Sequence, residues 1–149
     1  MTSDPDLALA LEFLHSQHVL VLSTSGPRGE ALNAPLFYVL GEGWRIYWLS
    51  SPRSQHSLRL KAAEVAVAVF HPGKDWREIR GVQMRGAART VRPSAAKARI
   101  LEQYRRRFSL GVEFAAIIAT SRLYCFEPAW LRYIDNSRSF GFKREFSLP

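Results

Sequence analysis

Tyr47-Trp48-Leu49-Ser50-Ser51-Pro52-Arg53-Ser54-Gln55-His56 is an apolar, strand-like run that passes directly into hydroxyl, guanidinium, amide and imidazole groups. At a strand-to-helix junction, serine hydroxyls, an arginine and freed backbone N–H groups favour a dianionic phosphate and discriminate no base. A phosphorylated cofactor is the expected ligand. Serine and proline also cap and start ordinary helices, and Arg53 can simply be solvated, so both readings stand for this stretch. Arg53 and His56, three residues apart, would share one helical face at the N-terminal end, which favours the anion.

The segments on either side predict an antiparallel meander. Residues 19–24 and 31–40 are apolar and β-branched, and Gly26-Pro27-Arg28-Gly29 joins them as a hairpin. Gly41-Glu42-Gly43 then turns the chain into residues 44–49, with connections too short for parallel crossovers. Before this meander, Leu7, Ala10, Leu11 and Leu14 recur at helical spacing, with Asp4 as N-cap and Pro5 as first helical residue. After it, Leu58, Leu60, Ala62 and Ala63 suit a short helix, and residues 65–70 return to a strand.

Residues 81–91 read as a further strand in which Gly86 marks a bulge or a close backbone approach. Pro93-Ser94 opens a helix to about Phe108, with Ala96, Ile100, Tyr104 and Phe108 on one stripe. Residues 112–120 fit a buried helix turn or a strand equally. Residues 123–127 and 130–134 read as two closing strands around Pro128, and 139–146 as an alternating tail. The fold class expected is mainly β with flanking helices: a six-stranded antiparallel barrel, because closure removes exposed edges. Residues 1–149 form one domain, long enough to bury a proper core.

Composition narrows the function classes. No apolar run approaches the roughly 20 residues that span a bilayer, and Asp4 and Asp6 stand where a signal peptide carries basic residues. The expected location is the cytoplasm. Cys125 is the only cysteine, so no internal disulfide or thiolate cluster can form. The net charge of +8 raises nucleic acid as a partner, but the basic residues are scattered. The one tight run, Arg105-Arg106-Arg107, falls late in a predicted helix, where cations complement the dipole; nucleic acid is not expected. His15 and His18 share a helical face without carboxylates and make no metal site, and His71 before Pro72-Gly73 reads as a turn residue. No Gly-x-Gly-x-x-Gly, phosphate-loop lysine, Ser/His/Asp or zinc-protease signature is present.

Two further strand positions carry chemistry. Asn33-Ala34-Pro35 sits inside the second strand, where a proline cannot donate to the ladder. Either the strand lies at an edge, or its backbone faces a flat ring system with small Ala34 leaving room. Gln83, between Gly81 and Gly86, either faces solvent or reads the donors and acceptors of a heterocycle.

Taken in order, these pieces resemble the pyridoxamine 5′-phosphate oxidase-like superfamily, the FMN-binding split barrels, over residues 18–148. The carriers are Val19-Leu20-Val21-Leu22-Ser23-Thr24, Asn33-Ala34-Pro35-Leu36-Phe37-Tyr38 and Leu49-Ser50-Ser51-Pro52-Arg53-Ser54-Gln55-His56. Gly81-Val82-Gln83-Met84-Arg85-Gly86-Ala87-Ala88 and Tyr133-Ile134-Asp135-Asn136-Ser137-Arg138-Ser139-Phe140-Gly141-Phe142 complete the pattern. The resemblance implies a homodimer with two FMN sites at the subunit interface. Ser50, Ser51, Arg53, Gln55 and His56 would hold the phosphate, and Asn33, Ala34, Pro35 and Gln83 would contact the isoalloxazine. Phe140, Phe142 and Lys143 would reach the partner's flavin.

The implied activity is an FMN-dependent oxidoreductase acting on a small or planar substrate, with an electron donor such as NAD(P)H. The chain lacks the arginine- and tryptophan-rich C-terminal motif of the oxidase proper, so vitamin B6 oxidation is not expected. With no identifiable catalytic acid or base, the alternative is a non-catalytic barrel that binds or senses flavin, haem or another phosphate-bearing ligand. A barrel without cofactor, serving as an interaction module, is the third.

Overall fold

The computed structural model describes residues 4–61 and 64–149. Helix α1 (Pro5–Ser16) starts where expected: the Asp4 side chain accepts from the Asp6 N–H at 2.9 Å, and Pro5 occupies a position whose N–H would have had no partner. Eight strands follow among the described residues: β1 (Val19–Ser25), β2 (Ala31–Phe37), β3 (Val39–Leu40), β4 (Ile46–Ser50), β5 (Val65–His71), β6 (Arg80–Thr90), β7 (Arg122–Asp135) and β8 (Lys143–Ser147). Three more helices interrupt them, α2 (Gln55–Leu58), α3 (Ala95–Arg107) and α4 (Glu113–Thr120).

All strand pairs are antiparallel, in the order β2-β1-β5-β6-β7-β4-β3, with β8 added on β7. The two ends of that path, β2 and β3, are separated in sequence by Tyr38 alone. A sheet whose terminal strands are joined by one residue must curl until its edges meet. Tyr38 is fully buried at this seam, where its N–H donates to the His18 carbonyl at 3.0 Å and its hydroxyl to the Leu14 carbonyl at 2.5 Å. Burial pushes its phenol well above the usual tyrosine range.

The interior fills with alternate residues of the strands, including Leu20, Leu22, Trp48, Val67, Met84, Phe126 and Leu131, and Phe13 and Leu14 of α1 pack against it. Outside, α3 is tied to β3 by the Gln103 amide donating to the Leu40 carbonyl at 3.0 Å, with Tyr104 buried beneath it. Its terminal arginines are engaged within the chain: Arg105 and Arg106 pair with Glu102, and Arg107 donates to the carbonyls of His15 and Gln17.

β7 splits the barrel. One edge pairs with β6 along its length, while the other pairs with β4 through Phe126 and with β8 from Trp130 onward. Pro128 sits where the partner changes, the one place on that edge where a missing N–H costs no ladder bond. Residues 122–135 are therefore one strand of 14 residues rather than the two expected. The register shifts here: Arg85 pairs with Trp130 but Gly86 with Pro128, leaving Ala129 as the extra residue of a bulge.

The mainly β barrel with flanking helices is as expected, with eight strands rather than six. The predicted strand 31–40 breaks at Tyr38, and Trp44 belongs to a 3₁₀ turn, Glu42–Trp44, instead of opening β4. The ambiguous segment 112–120 is helix α4, and the tail forms a turn before β8. The helix expected after the junction is α2 followed by a 3₁₀ turn, Arg59–Lys61; Ala62 and Ala63 lie outside the described residues. Among the described residues no helix is long and apolar enough to cross a membrane.

A Cβ built on Gly86 would meet the Glu127 carbonyl oxygen at 2.1 Å and the Pro128 Cα at 2.8 Å, both backbone atoms that cannot swing aside. Gly86→Ala is expected to cost about 1–3 kcal/mol through overpacking. Urea unfolding followed by tryptophan fluorescence should show a lowered midpoint; an unchanged one would mean that β6 and β7 do not approach so closely.

Candidate functional site

The junction after β4 is built by its serines. Ser54 caps α2, accepting from the Ser57 N–H at 3.4 Å, and its hydroxyl lies 2.8 Å from the Ser51 carbonyl. His56 Nε2 lies 2.6 Å from Ser50 Oγ and 3.1 Å from Ser54 Oγ. Partial burial lowers the pKa of His56 below the ordinary histidine value. A neutral ring that accepts the Ser50 hydroxyl proton at Nε2 satisfies this arrangement. His56 thus braces the junction and supplies no cation to it.

Arg53 precedes α2, so it does not share a helical face with His56, and a helix of four residues has little dipole to offer an anion. Anion recognition here rests on side chains instead. Arg53 opens onto a cavity of about 450 Å³ lined by Ser51, Pro52, Ala119, Thr120, Ser121 and Arg122. Arg122 is brought there by its register with Ser50 across β4 and β7. Neither Arg53 nor Arg122 forms an ion pair among the described residues, and no carboxylate lines the cavity. Two guanidiniums without an ion-pair partner and the Ser51 and Ser121 hydroxyls are a donor set suited to an anion, while the Thr120 hydroxyl donates to the Ala116 carbonyl at 3.0 Å. Gln55 points elsewhere, lining a separate hollow with Ser25, Pro27, Glu30 and Arg59.

A second feature lies on the outer face of the sheet. Register aligns Asn33, Ser23, Ala66, Arg85 and Trp130 in one row, and Pro35, Val21, Ala68, Gln83, Arg132 and Glu145 in the next. Residues paired across antiparallel strands share a face, so these side chains converge from five strands of the barrel and from β8. They form a groove of about 440 Å³, floored by Ala66 and Ala68 and walled by Ser23, Gln83, Arg85, Trp130, Arg132 and Glu145. Ser23 Oγ donates to Asn33 Oδ1 at 2.6 Å. Arg132 donates to Gln83 Oε1 at 3.3 Å and holds Glu145 at 2.6 Å. Trp130 is stacked between Arg85, 4.2 Å from its ring centre, and Arg132, 5.2 Å from it.

Asn33, Pro35 and Gln83 therefore share the outer face, while Ala34 turns inward and is buried in the core. β2 ends the strand path, which accounts for Pro35 as an edge proline. α2 packs against β1 and β2, so the junction and the Asn33 end of the groove lie on adjoining surfaces.

The tail lies at the other pole. Phe140 is 80% exposed and packs edge-on against Trp76 at 5.5 Å; Phe142 lies under the Arg138 guanidinium, and Lys143 is exposed. Asn136 fastens this turn by donating to the Trp76 carbonyl and accepting from the Gly141 N–H. Asp6 of α1 clamps it from below, 2.6 Å from Arg138 and 2.8 Å from Arg144, and those guanidiniums hold its carboxyl below the usual range. Tail and junction occupy opposite ends of β7, roughly 40 Å of strand apart, so one chain cannot bring both to one small ligand.

Ser23, Thr120, Ser121, Arg122, Trp130, Arg132 and Glu145 were not singled out by sequence. Only Ser23 carried a signal, as the polar member of an apolar alternation. Cys125 is buried and its thiol pKa is raised by burial, so it is no nucleophile. No cluster of three metal-ligating side chains occurs among the described residues.

A barrel closed at Tyr38 and divided along β7, with a flat-floored groove on its outer face, defines the split-barrel class. The family model for pyridoxamine 5′-phosphate oxidase matches residues 6–131, and the chain belongs to that family. Among solved structures, ChuZ from Campylobacter jejuni superposes with a TM-score of 0.77 at 16% identity, over 99% of this chain and 61% of that one. HutZ, a haem storage protein from Vibrio cholerae, gives 0.68 at 18% identity, over 86% of this chain and 91% of its own. A haem-binding protein from Mycobacterium smegmatis gives 0.73 at 15% identity, over 99% and 60%. The chain thus spans about three fifths of the first and third of these, and at such identities the likeness is one of fold. No curated protein sequence matches the chain.

The depressed pKa of His56 makes a pH prediction with a definite sign. Below the ordinary value of 6.5 the unfolded chain takes up a proton at this residue that the folded chain resists. Its contribution to stability is complete above 6.5 and is lost as pH falls toward the folded pKa. An imidazole NMR titration of His56 should give a midpoint below 6.5, and His56→Asn should remove this part of the acid destabilisation. A midpoint at or above 6.5 would contradict the neutral, bracing role.

Proposed function

We propose that the chain is an FMN-binding oxidoreductase of the split-barrel class, acting on a small planar substrate. The observations that carry this reading are the carboxylate-free cradle of Ser51, Arg53, Thr120, Ser121 and Arg122 and, on the outer face of the sheet, a flat-floored groove that has a fixed amide on its wall. Bound FMN would supply the hydride or electron transfer, which leaves the protein to bind, orient and shield.

Each role falls to a residue suited to it. Arg53 and Arg122 would neutralise the phosphate dianion and the Ser51 and Ser121 hydroxyls would donate to it. Ala66 and Ala68 leave room for a ring laid flat on β5. Gln83 accepts from Arg132 through its carbonyl oxygen, so its NH₂ is the free end and would donate to an acceptor on a heterocycle edge. A second copy of the chain, carrying its tail to the open side of the groove, would complete the site; the polar separation of tail and junction supports that arrangement. A reducing compartment such as the cytoplasm suits a chain whose only cysteine is a buried free thiol.

A second reading, a haem-binding barrel, is favoured by the likeness in fold to HutZ, a haem storage protein, and to the haem-binding protein of Mycobacterium smegmatis. The lining of the groove supports flavin over haem, because it contains no histidine, cysteine or tyrosine to ligate iron.

Titration of FMN, followed by quenching of its fluorescence, tests the proposal. Arg53→Ala and Arg122→Ala should each weaken binding about tenfold to a hundredfold, the value of one charge-assisted contact to phosphate. Absence of FMN binding by the unaltered chain would overturn the reading, and unchanged affinity in both variants would remove the phosphate from this cradle.

A further inference from the structure

The two guanidiniums that sandwich Trp130 are not equivalent. Arg132 is fully committed: its Nε and Nη2 donate to Glu145 at 3.0 and 2.6 Å, and its Nη1 donates to Gln83. Arg85 makes no side-chain hydrogen bond and no ion pair among the described residues; its guanidinium carbon lies 4.2 Å from the centre of the Trp130 ring, and, after the Arg132 hydrogen bonds, its charge helps to hold the Glu145 carboxyl below the usual range. Stacking uses the flat face of a guanidinium and leaves its edge, where all five N–H donors lie, free for a partner in the plane. Arg85 thus rests against the indole at the groove wall, with no N–H given to another side chain among the described residues.

The surroundings specify that partner. The ionised side chains lining the groove are Arg85, Arg132 and Glu145, and since the latter two cancel, the lining carries one net positive charge, at Arg85. Ala66 is the register partner of Arg85 and Ala68 that of Gln83, so the cation stands beside a flat strip without projecting side chains. A planar anion fits above this strip, on the alanines themselves when no cofactor is bound and over the flavin ring when one is, with its acidic group at the Arg85 guanidinium. A carboxylate matches the fork bidentately, which a hydroxyl or amide does not.

We propose that Arg85, positioned by Trp130, forms a subsite for the carboxylate of a planar, conjugated acid, and that this is the substrate class of the groove. The proposal rests on the flavin reading for what happens to that acid, but the subsite itself does not require the cofactor. Arg85 lies outside the phosphate cradle, and acid binding can be read in the chain both with and without cofactor.

Benzoate and its neutral isostere benzamide are the probes, read in two ways. In FMN-loaded protein the visible flavin spectrum reports their binding, and in protein without FMN the tryptophan fluorescence does, with Trp130→Phe identifying the reporting indole. The unaltered chain should bind benzoate about tenfold or more tighter than benzamide. Arg85→Gln should abolish that preference both in FMN-loaded protein and in protein without FMN; the side chain is exposed, so the variant folds. Equal affinity for the two probes in the unaltered chain overturns the proposal. So does an Arg85→Gln variant that loses FMN but keeps its benzoate preference, which would make Arg85 a cofactor contact. If no FMN binds at all, the flavin reading fails while the fluorescence comparison still decides the subsite.

Discussion

One residue, Tyr38, joins the two ends of a seven-strand path, and the rest of the molecule follows from that connection. The chain leaves β2 and enters β3 with no length to span a sheet edge to edge, so the sheet has to close. Burying Tyr38 at the seam, with both its backbone N–H and its hydroxyl satisfied by carbonyls near the end of α1, makes closure compatible with a dry interior. Closure brings α2, which begins where β4 ends, against β1 and β2. The junction after the fourth strand is thereby packed, through α2, against the strands that carry Ser23 and Asn33.

The second constraint is the alternation of faces. Each strand that feeds the interior with Leu22, Val67, Met84 or Leu131 places its intervening residues outside, and five strands in register turn Ser23, Ala66, Arg85 and Trp130 into one row. The groove lies on that outer face, so a ligand held by these side chains would sit outside the barrel. The bulge at Ala129 contributes: it lets Trp130 pair with Arg85 while Pro128 holds the break between β4 and β8. Position and chemistry of the groove are thus set by the same irregularity that splits the barrel.

Much of this was legible from local signals. The Asp4 cap and Pro5 place α1, Ser94 places α3, and Gly86 announces the close approach that the bulge requires. What was illegible was non-local. Nothing in the apolar run through Leu36, Phe37, Tyr38 and Val39 marks a break, because the bend answers to a seam formed with α1. Pro128 reads as a strand end by its missing N–H, yet the strand continues because that N–H would have no partner. Residues 112–120 are apolar enough for either helix or strand. Arg122 could join Arg53 in expectation only once β4 and β7 were known to pair, and Trp130, Arg132 and Glu145 meet Gln83 only through register across three strands. His56 was legible as a junction residue but not as a neutral one, since its pKa depends on burial that spacing does not report.

The central claim is that the cradle and groove together hold a flavin. The visible absorption spectrum of the purified chain, before and after incubation with FMN and removal of the excess, tests it most directly. The account predicts the two-banded spectrum of an oxidised flavin that stays with the protein and is released as FMN on denaturation. A Soret band in the purified chain, or no retained chromophore after incubation with FMN, would contradict it.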